Sequence, residues 1–248
     1  MNIMSELCRW LHEQLERLPI IKFPFSLKKL PKNGIYFFYE EGEIWGHEGT
    51  KPRIVRVGTH KNENFRSRIN EHYLIDASWM NFDRNKPKPS DRSIFRKNIG
   101  RALLNRSNDN YLTIWNVDFT IRRNRQCKGS LRDVEKEKRI EETITSIIRE
   151  KFSFRFIVLE GQAERIGGGG LESSLIGTLA HCGLCKPSDN WLGKCSPIKE
   201  IRESGLWLVQ HLHADPINEN DKEVILKSIR KTEEWTKAER LKETAMAN

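Results

Sequence analysis

The chain has 248 residues, room for one large domain or one domain with substantial additions. A hydrophobic fraction of 37%, with 7 Trp and 11 Phe, supports a sizeable core and excludes wholesale disorder. Lys and Arg number 43 against 34 Asp and Glu, a net charge of +9, and residues 51–132 alone hold 19 basic and 7 acidic side chains. On charge alone, that local excess is either the footprint of a polyanion partner or a solvated basic face. The cations are scattered among structured-looking segments instead of piled into one tail, which favours a folded nucleic-acid surface. No run approaches the roughly 20 apolar residues of a membrane span. Glu6, Glu13 and Glu16 interrupt the first 18 residues, unlike the core of a secretory signal. The 5 cysteines, an odd number, are expected as free thiols in a reducing cytoplasm.

In chain order, residues 5–17 read as an amphipathic helix, with Ser5 as N-cap, Leu7, Trp10, Leu11, Leu15 and Leu18 at helical spacing, and Pro19 as its stop. A connector runs past Pro24 and Pro31. The apolar, aromatic run 34–39 has the composition of a strand buried on both faces. A turn over 40–52 then leads to a partner strand at 53–58, so a hairpin is the simplest topology. Phe65, Ile69 and Tyr73 start a helix. Residues 74–92 read as a polar loop suited to following a nucleic-acid groove, and 93–106 as a basic helix with Ile94, Phe95, Ile99, Ala102 and Leu103 inward. The β-branched and aromatic composition of 111–121 predicts a third strand. After a basic loop come a helix at about 133–151 and a fourth strand at 152–159. Gly167–Gly170 leads into a helix at 171–181; it lacks the Lys-Ser/Thr ending of a phosphate-binding loop and reads as a flexible lead-in. From Asp221 onward a Lys/Glu-rich helix carries an apolar stripe that either packs on the domain or pairs with a second copy of the chain.

Five elements stand in a telling order: Gly34-Ile35-Tyr36, then Arg56-Val57-Gly58, then Arg68 with His72 one turn later, then Glu172 on a later helix, then Asn190. Over roughly residues 30 to 195 this order resembles the GIY-YIG nuclease family, and the His after the Arg resembles its restriction-endonuclease branch. The resemblance implies a mixed α+β fold with a small, mainly antiparallel central sheet flanked by helices. It leaves helical additions at 1–30 and 216–248 around a nuclease domain at 31–215, with a basic helical insertion at about 74–110. It further implies hydrolysis of DNA phosphodiesters with one divalent metal, Mg²⁺ or Mn²⁺. Glu172 would hold the metal, Tyr36 and His72 would help deprotonate water, Arg68 would bind the scissile phosphate and Asn190 would support it. One position departs from the pattern, because Arg56 stands where the family has a second tyrosine. The rival expectation is therefore a module on the same fold that binds nucleic acid without cutting.

The residues carry part of this alone. Phosphodiester cleavage needs a deprotonated water and charge stabilisation at phosphorus. Mg²⁺ typically takes one or two carboxylates plus phosphate oxygens and water. Glu172 shares the side of its helix with Leu175, Ile176 and Leu179, so it needs a cation, whether a metal or an Arg. Arg68 and His72 project from one helix flank, to act on a phosphate or simply to be solvated. Tyr36 is a water-activating phenol or ordinary aromatic core. Arg56, His60, Arg84, Lys86, Lys88, Arg92, Arg96 and Lys97 are candidate phosphate contacts, and Asn190 is either a turn residue or an amide donor. Cys182-Gly-Leu-Cys185, with His181 and Cys195 nearby, provides one properly spaced pair where a structural zinc site needs two. His211 and His213 are the sequence candidates to complete it, and unmetallated thiols are the simpler expectation. A homodimer, each copy with one cleaving centre, would suit double-strand cutting.

Overall fold

The structure, a computed structural model, describes residues 3–59, 63–159 and 170–247, apart from the side chains of 240–247. His60 and Gly167–Gly169 lie outside the described residues. In chain order the elements are α1 (Ile3–Leu15), β1 (Ile21–Lys22), β2 (Gly34–Ile44), β3 (Pro52–Thr59), α2 (Phe65–Tyr73), α3 (Ile94–Arg106), α4 (Leu112–Trp115), α5 (Arg122–Lys128), α6 (Val134–Lys151), β4 (Phe152–Val158), α7 (Leu171–Ala180), α8 (Lys199–Ser204) and α9 (Glu219–Ala247). Among the described residues no helix is long and apolar enough to cross a membrane. The chain forms two compact units, one of Met1–Arg66, Phe152–Ser188 and Val209–Asn248, the other of Ser67–Lys151 and Asp189–Leu208.

The first unit is built on an antiparallel sheet of order β1-β4-β2-β3. The first seven residues of β2 are all buried, as their apolar run predicts for a central strand. Tyr36 lies opposite Gly58 and Phe156, and Phe38 opposite Arg56 and Phe154, so these residues share one sheet face. On that face the Phe38 ring meets Phe154 edge-on at 5.8 Å, and Phe65 from the start of α2 meets Phe156 at the same distance.

The hairpin forms as expected, but β2 runs on to Ile44 and narrows the turn to residues 45–51. An acidic residue continues the strand because the Glu43 carboxylate is buried against the Arg53 guanidinium and accepts from the Ser188 backbone N–H at 3.2 Å. The predicted strand over 111–121 does not form. The outer strand is instead Ile21–Lys22, in the expected connector, pairing with Phe154 and Ser153.

Helix α1 begins at Ile3, so Ser5 lies buried inside it and is not its cap. Leu11 and Leu15 are fully buried, and His12 protects the edge strand β3 by accepting the Ile54 N–H at Nε2, 3.1 Å away. That leaves Nδ1–H to donate to the Cys8 carbonyl at 2.9 Å, and burial pushes the ring's pKa down to about 4, so it is neutral near pH 7. The stripe on α9 packs within the chain: Ile225 and Ile229 are fully buried, the Val158 N–H donates to Thr232 Oγ1 at 2.9 Å, and Trp235 stacks edge-on against Phe156 at 5.6 Å.

The second unit is organised around buried ion pairs. Arg96 on α3 and Glu141 on α6 are joined at 2.7 Å with both side chains at 0% exposure, as are Arg132 and Glu137 at 2.6 Å. Lys88 and Lys97 converge on Asp91 at 2.9 and 3.0 Å. Arg132 also donates to the carbonyls of Asp83, Arg84 and Lys86, fixing the backbone of that loop. Much of the basic character of the middle of the chain is thus internal.

Candidate functional site

The GIY strand is defined by two close approaches that only glycine allows. A Cβ at Gly34 would stand 2.5 Å from the Ile157 carbonyl oxygen, and one at Gly58 would stand 2.2 Å from the Tyr36 hydroxyl. The phenol of Tyr36 therefore lies directly on the third residue of the Arg56-Val57-Gly58 tripeptide. Its ring is 1% exposed and is held by Phe38 at 5.1 Å and Phe65 at 6.0 Å. Arg56 sits diagonally from Tyr36 on the same face and is also buried. Gly58→Ala is expected to destabilise by about 1–3 kcal/mol through overpacking. In a Tyr36→Ala background, which removes the clash, most of that penalty should vanish; urea midpoints of the four proteins test the coupling. Additive penalties would mean that the phenol does not rest on Gly58.

Glu172 occupies the first turn of α7, where a negative charge is favoured by the helix dipole. This helix is enclosed nearly all round: Ser173 to Leu179 are buried, and a Cβ on Gly177 would stand 2.2 Å from the Ala214 carbonyl oxygen. Glu172 and Ala180 are the α7 residues that keep partial solvent access. Although Glu172 shares the apolar side of its helix, its place in the first turn leaves the carboxylate half-buried, ahead of seven enclosed residues. A single half-exposed carboxylate fits a hard cation that completes its shell with water and phosphate oxygens. Helix α7 packs on β3, the strand carrying Arg56 and Gly58.

In the second unit, Arg68 is partly exposed; its Nη1 donates to Glu71 at 2.8 Å and to the Arg92 carbonyl at 2.9 Å. His72 does not project beside it to solvent. It is 0% exposed, its Nδ1 lies 2.8 Å from Ser93 Oγ, and its ring meets Phe95 edge-on at 5.5 Å. Since Ser93 also caps α3 by accepting the Arg96 N–H, His72 fastens α2 to the start of α3. Asn190 is an exposed turn residue beside Trp191, which is buried against Trp207 at 5.1 Å.

The candidate phosphate contacts divide by burial. Arg84, Lys86 and Arg92 are exposed, whereas Lys88, Arg96 and Lys97 are buried in the ion pairs above and have no surface to offer a phosphate. Lys86 and Arg92 flank a groove of about 280 Å³ with Trp79 in its wall, and the Arg92 guanidinium lies 5.7 Å from the Trp79 ring centre. Composition gave no sign of that groove. Nor did the sequence reveal the neighbours of Cys182 and Cys185, which are Cys8 and His47, not Cys195, His211 or His213.

Neither a curated protein nor a solved structure matches the chain. A family model described as the GIY-YIG domain does match, over residues 7–235, which takes in most of α1 and more than half of α9. With that match and a Tyr36 phenol seated on Gly58, the chain belongs to the GIY-YIG nuclease family.

Proposed function

We propose that the protein is a divalent-metal-dependent endonuclease that hydrolyses DNA phosphodiester bonds, of the restriction or defence type. The observation that carries this reading is Glu172, an acidic side chain with solvent access on an otherwise enclosed helix of a GIY-YIG domain. Glu172 would hold Mg²⁺ or Mn²⁺. When bound, such an ion supplies charge neutralisation at the phosphate and a more acidic water. The Tyr36 hydroxyl, which rests against Gly58, would hydrogen-bond the attacking water, the Arg68 fork would bind non-bridging phosphate oxygens and the exposed Asn190 amide would support the phosphate. His72 acts as a positioning residue at the α2–α3 junction.

Supercoiled plasmid is expected to be nicked with Mg²⁺ or Mn²⁺ and to stay intact in EDTA. The second reading, a module that binds without cutting, is favoured by Arg56 in place of the tyrosine. A band shift with no nicking across many DNAs and both metals would establish that reading and overturn ours.

Arg84, Lys86 and Arg92 would contact backbone phosphates, the first two presented by a loop whose carbonyls are gathered on Arg132. Each phosphate contact adds about 0.9 to the slope of log affinity against log salt, so replacing all three with Ala should reduce the slope by about 3. Binding isotherms in EDTA over a salt series measure it, and an unchanged slope would remove these residues from the interface.

A further inference from the structure

We propose that Cys8, His47, Cys182 and Cys185 bind one structural zinc ion. These residues come from α1, from the turn between β2 and β3, and from the segment after α7, all within the first unit. Their ligand atoms all lie within 4.8 Å of one another, the three cysteines buried and the histidine half-buried.

Two of the six ligand-to-ligand separations match the edges of a tetrahedron around zinc, and all six are within 4.8 Å. With Zn–S near 2.3 Å and Zn–N near 2.0–2.1 Å, the edges should be about 3.8 Å between two sulfurs and about 3.5 Å between sulfur and nitrogen. Cys8 Sγ lies 3.8 Å from Cys185 Sγ, and Cys182 Sγ lies 3.7 Å from His47 Nε2.

The surroundings are shaped for ligation. The Gly46 backbone N–H donates to Cys185 Sγ at 3.3 Å, a bond that supports a thiolate. Gly46 itself is dictated by the contact, since a Cβ there would stand 1.8 Å from the Leu184 carbonyl oxygen. The hairpin turn is thus pressed onto the Cys182-Gly-Leu-Cys185 backbone, which delivers His47 to the sulfurs. Below, His12 donates from Nδ1 to the Cys8 carbonyl and fixes that residue's backbone.

The donor set decides the ion. Three soft thiolates and an imidazole select zinc over the hard cation proposed for Glu172. Four protein ligands leave no open position, so the ion is structural, tying α1 and the hairpin to the end of the helix that carries Glu172.

Full-length protein from cells grown with added zinc, purified without chelator, should contain about one zinc per chain by elemental analysis. Cys182→Ser should lose it, while Cys127→Ser and Cys195→Ser should keep it. To keep the test independent of whether a ligand variant folds, the wild-type protein is also to be exchanged with Co²⁺, which should give the intense visible bands of a tetrahedral site and a thiolate charge-transfer band. Metal-free protein with no cobalt spectrum would overturn the proposal. So would a disulfide among Cys8, Cys182 and Cys185, or an iron–sulfur chromophore.

Discussion

Glu141→Ala is expected to destabilise the protein by about 3–5 kcal/mol, because it leaves the Arg96 guanidinium buried and uncompensated. In the folded chain that guanidinium donates to Glu141 from Nη2 at 2.7 Å and Nε at 3.2 Å, to the Glu141 carbonyl at 3.0 Å, to Thr145 Oγ1 at 2.8 Å and to the His72 carbonyl at 2.9 Å. Burial lowers the Arg96 pKa, and Glu141 opposes that shift, so removing the acid worsens the position of a charge that cannot readily be neutralised. The substitution also orphans the Ser90 backbone N–H, which donates to Glu141 Oε1 at 2.8 Å. A loss of this size is a large part of the roughly 5–15 kcal/mol that holds a domain together. By contrast, Glu233→Ala removes an exposed partner of Arg17 and should change stability by no more than about 1 kcal/mol. Urea unfolding checks both. Replacing Arg96 and Glu141 together with apolar residues should recover much of the loss, and a double variant as unstable as the single one would contradict the account.

The same pair shows what the sequence concealed. Arg96 counted towards a basic surface because its acid lies 45 positions away and no local pattern links them. Lys88 and Lys97 were hidden differently: their acid, Asp91, lies in the same basic window, yet one carboxylate serving two ammonium groups gives no periodic signal. The false strand at 111–121 has a clearer cause. Its β-branched and aromatic residues fit a strand, but the Asp109 and Asp118 carboxylates accept the N–H groups of Tyr111 and Thr120 and turn the chain at both places. Between them Trp115 is drawn inward, with its indole N–H on the Lys97 carbonyl at 3.1 Å.

What could be read was short-range. The buried aromatic run of β2, its hairpin with β3, and the glycines of both tripeptides sit within 26 residues, and their order carried the family. The helix bearing Glu172 was also readable, because an apolar stretch bounded by glycine admits few alternatives. The cysteine cluster was not. Cys185 meets a sulfur 177 positions away, a juxtaposition that only the packing of α1 creates.

Glu172→Gln should lower plasmid cleavage by about 10²–10³-fold or more, the loss typical of one group that stabilises transition-state charge. The side chain keeps its size and hydrogen-bonding reach but loses the charge that binds a hard cation. Its half-exposed place at the start of α7 means that folding stability should move by only about 0.5 kcal/mol. DNA binding measured in EDTA should also hold, since the phosphate contacts proposed for Arg84, Lys86 and Arg92 do not involve Glu172. Glu172→Asp, which retracts the carboxylate by one methylene, should fall between Gln and wild type and shift the metal concentration needed for half-maximal rate upward. That ordering separates ligation from a structural role, because a packing defect would not follow the metal concentration. If the Gln variant nicked plasmid at the wild-type rate in Mg²⁺, the metal would have to be held elsewhere, and α7 would be only the support on which β3 rests.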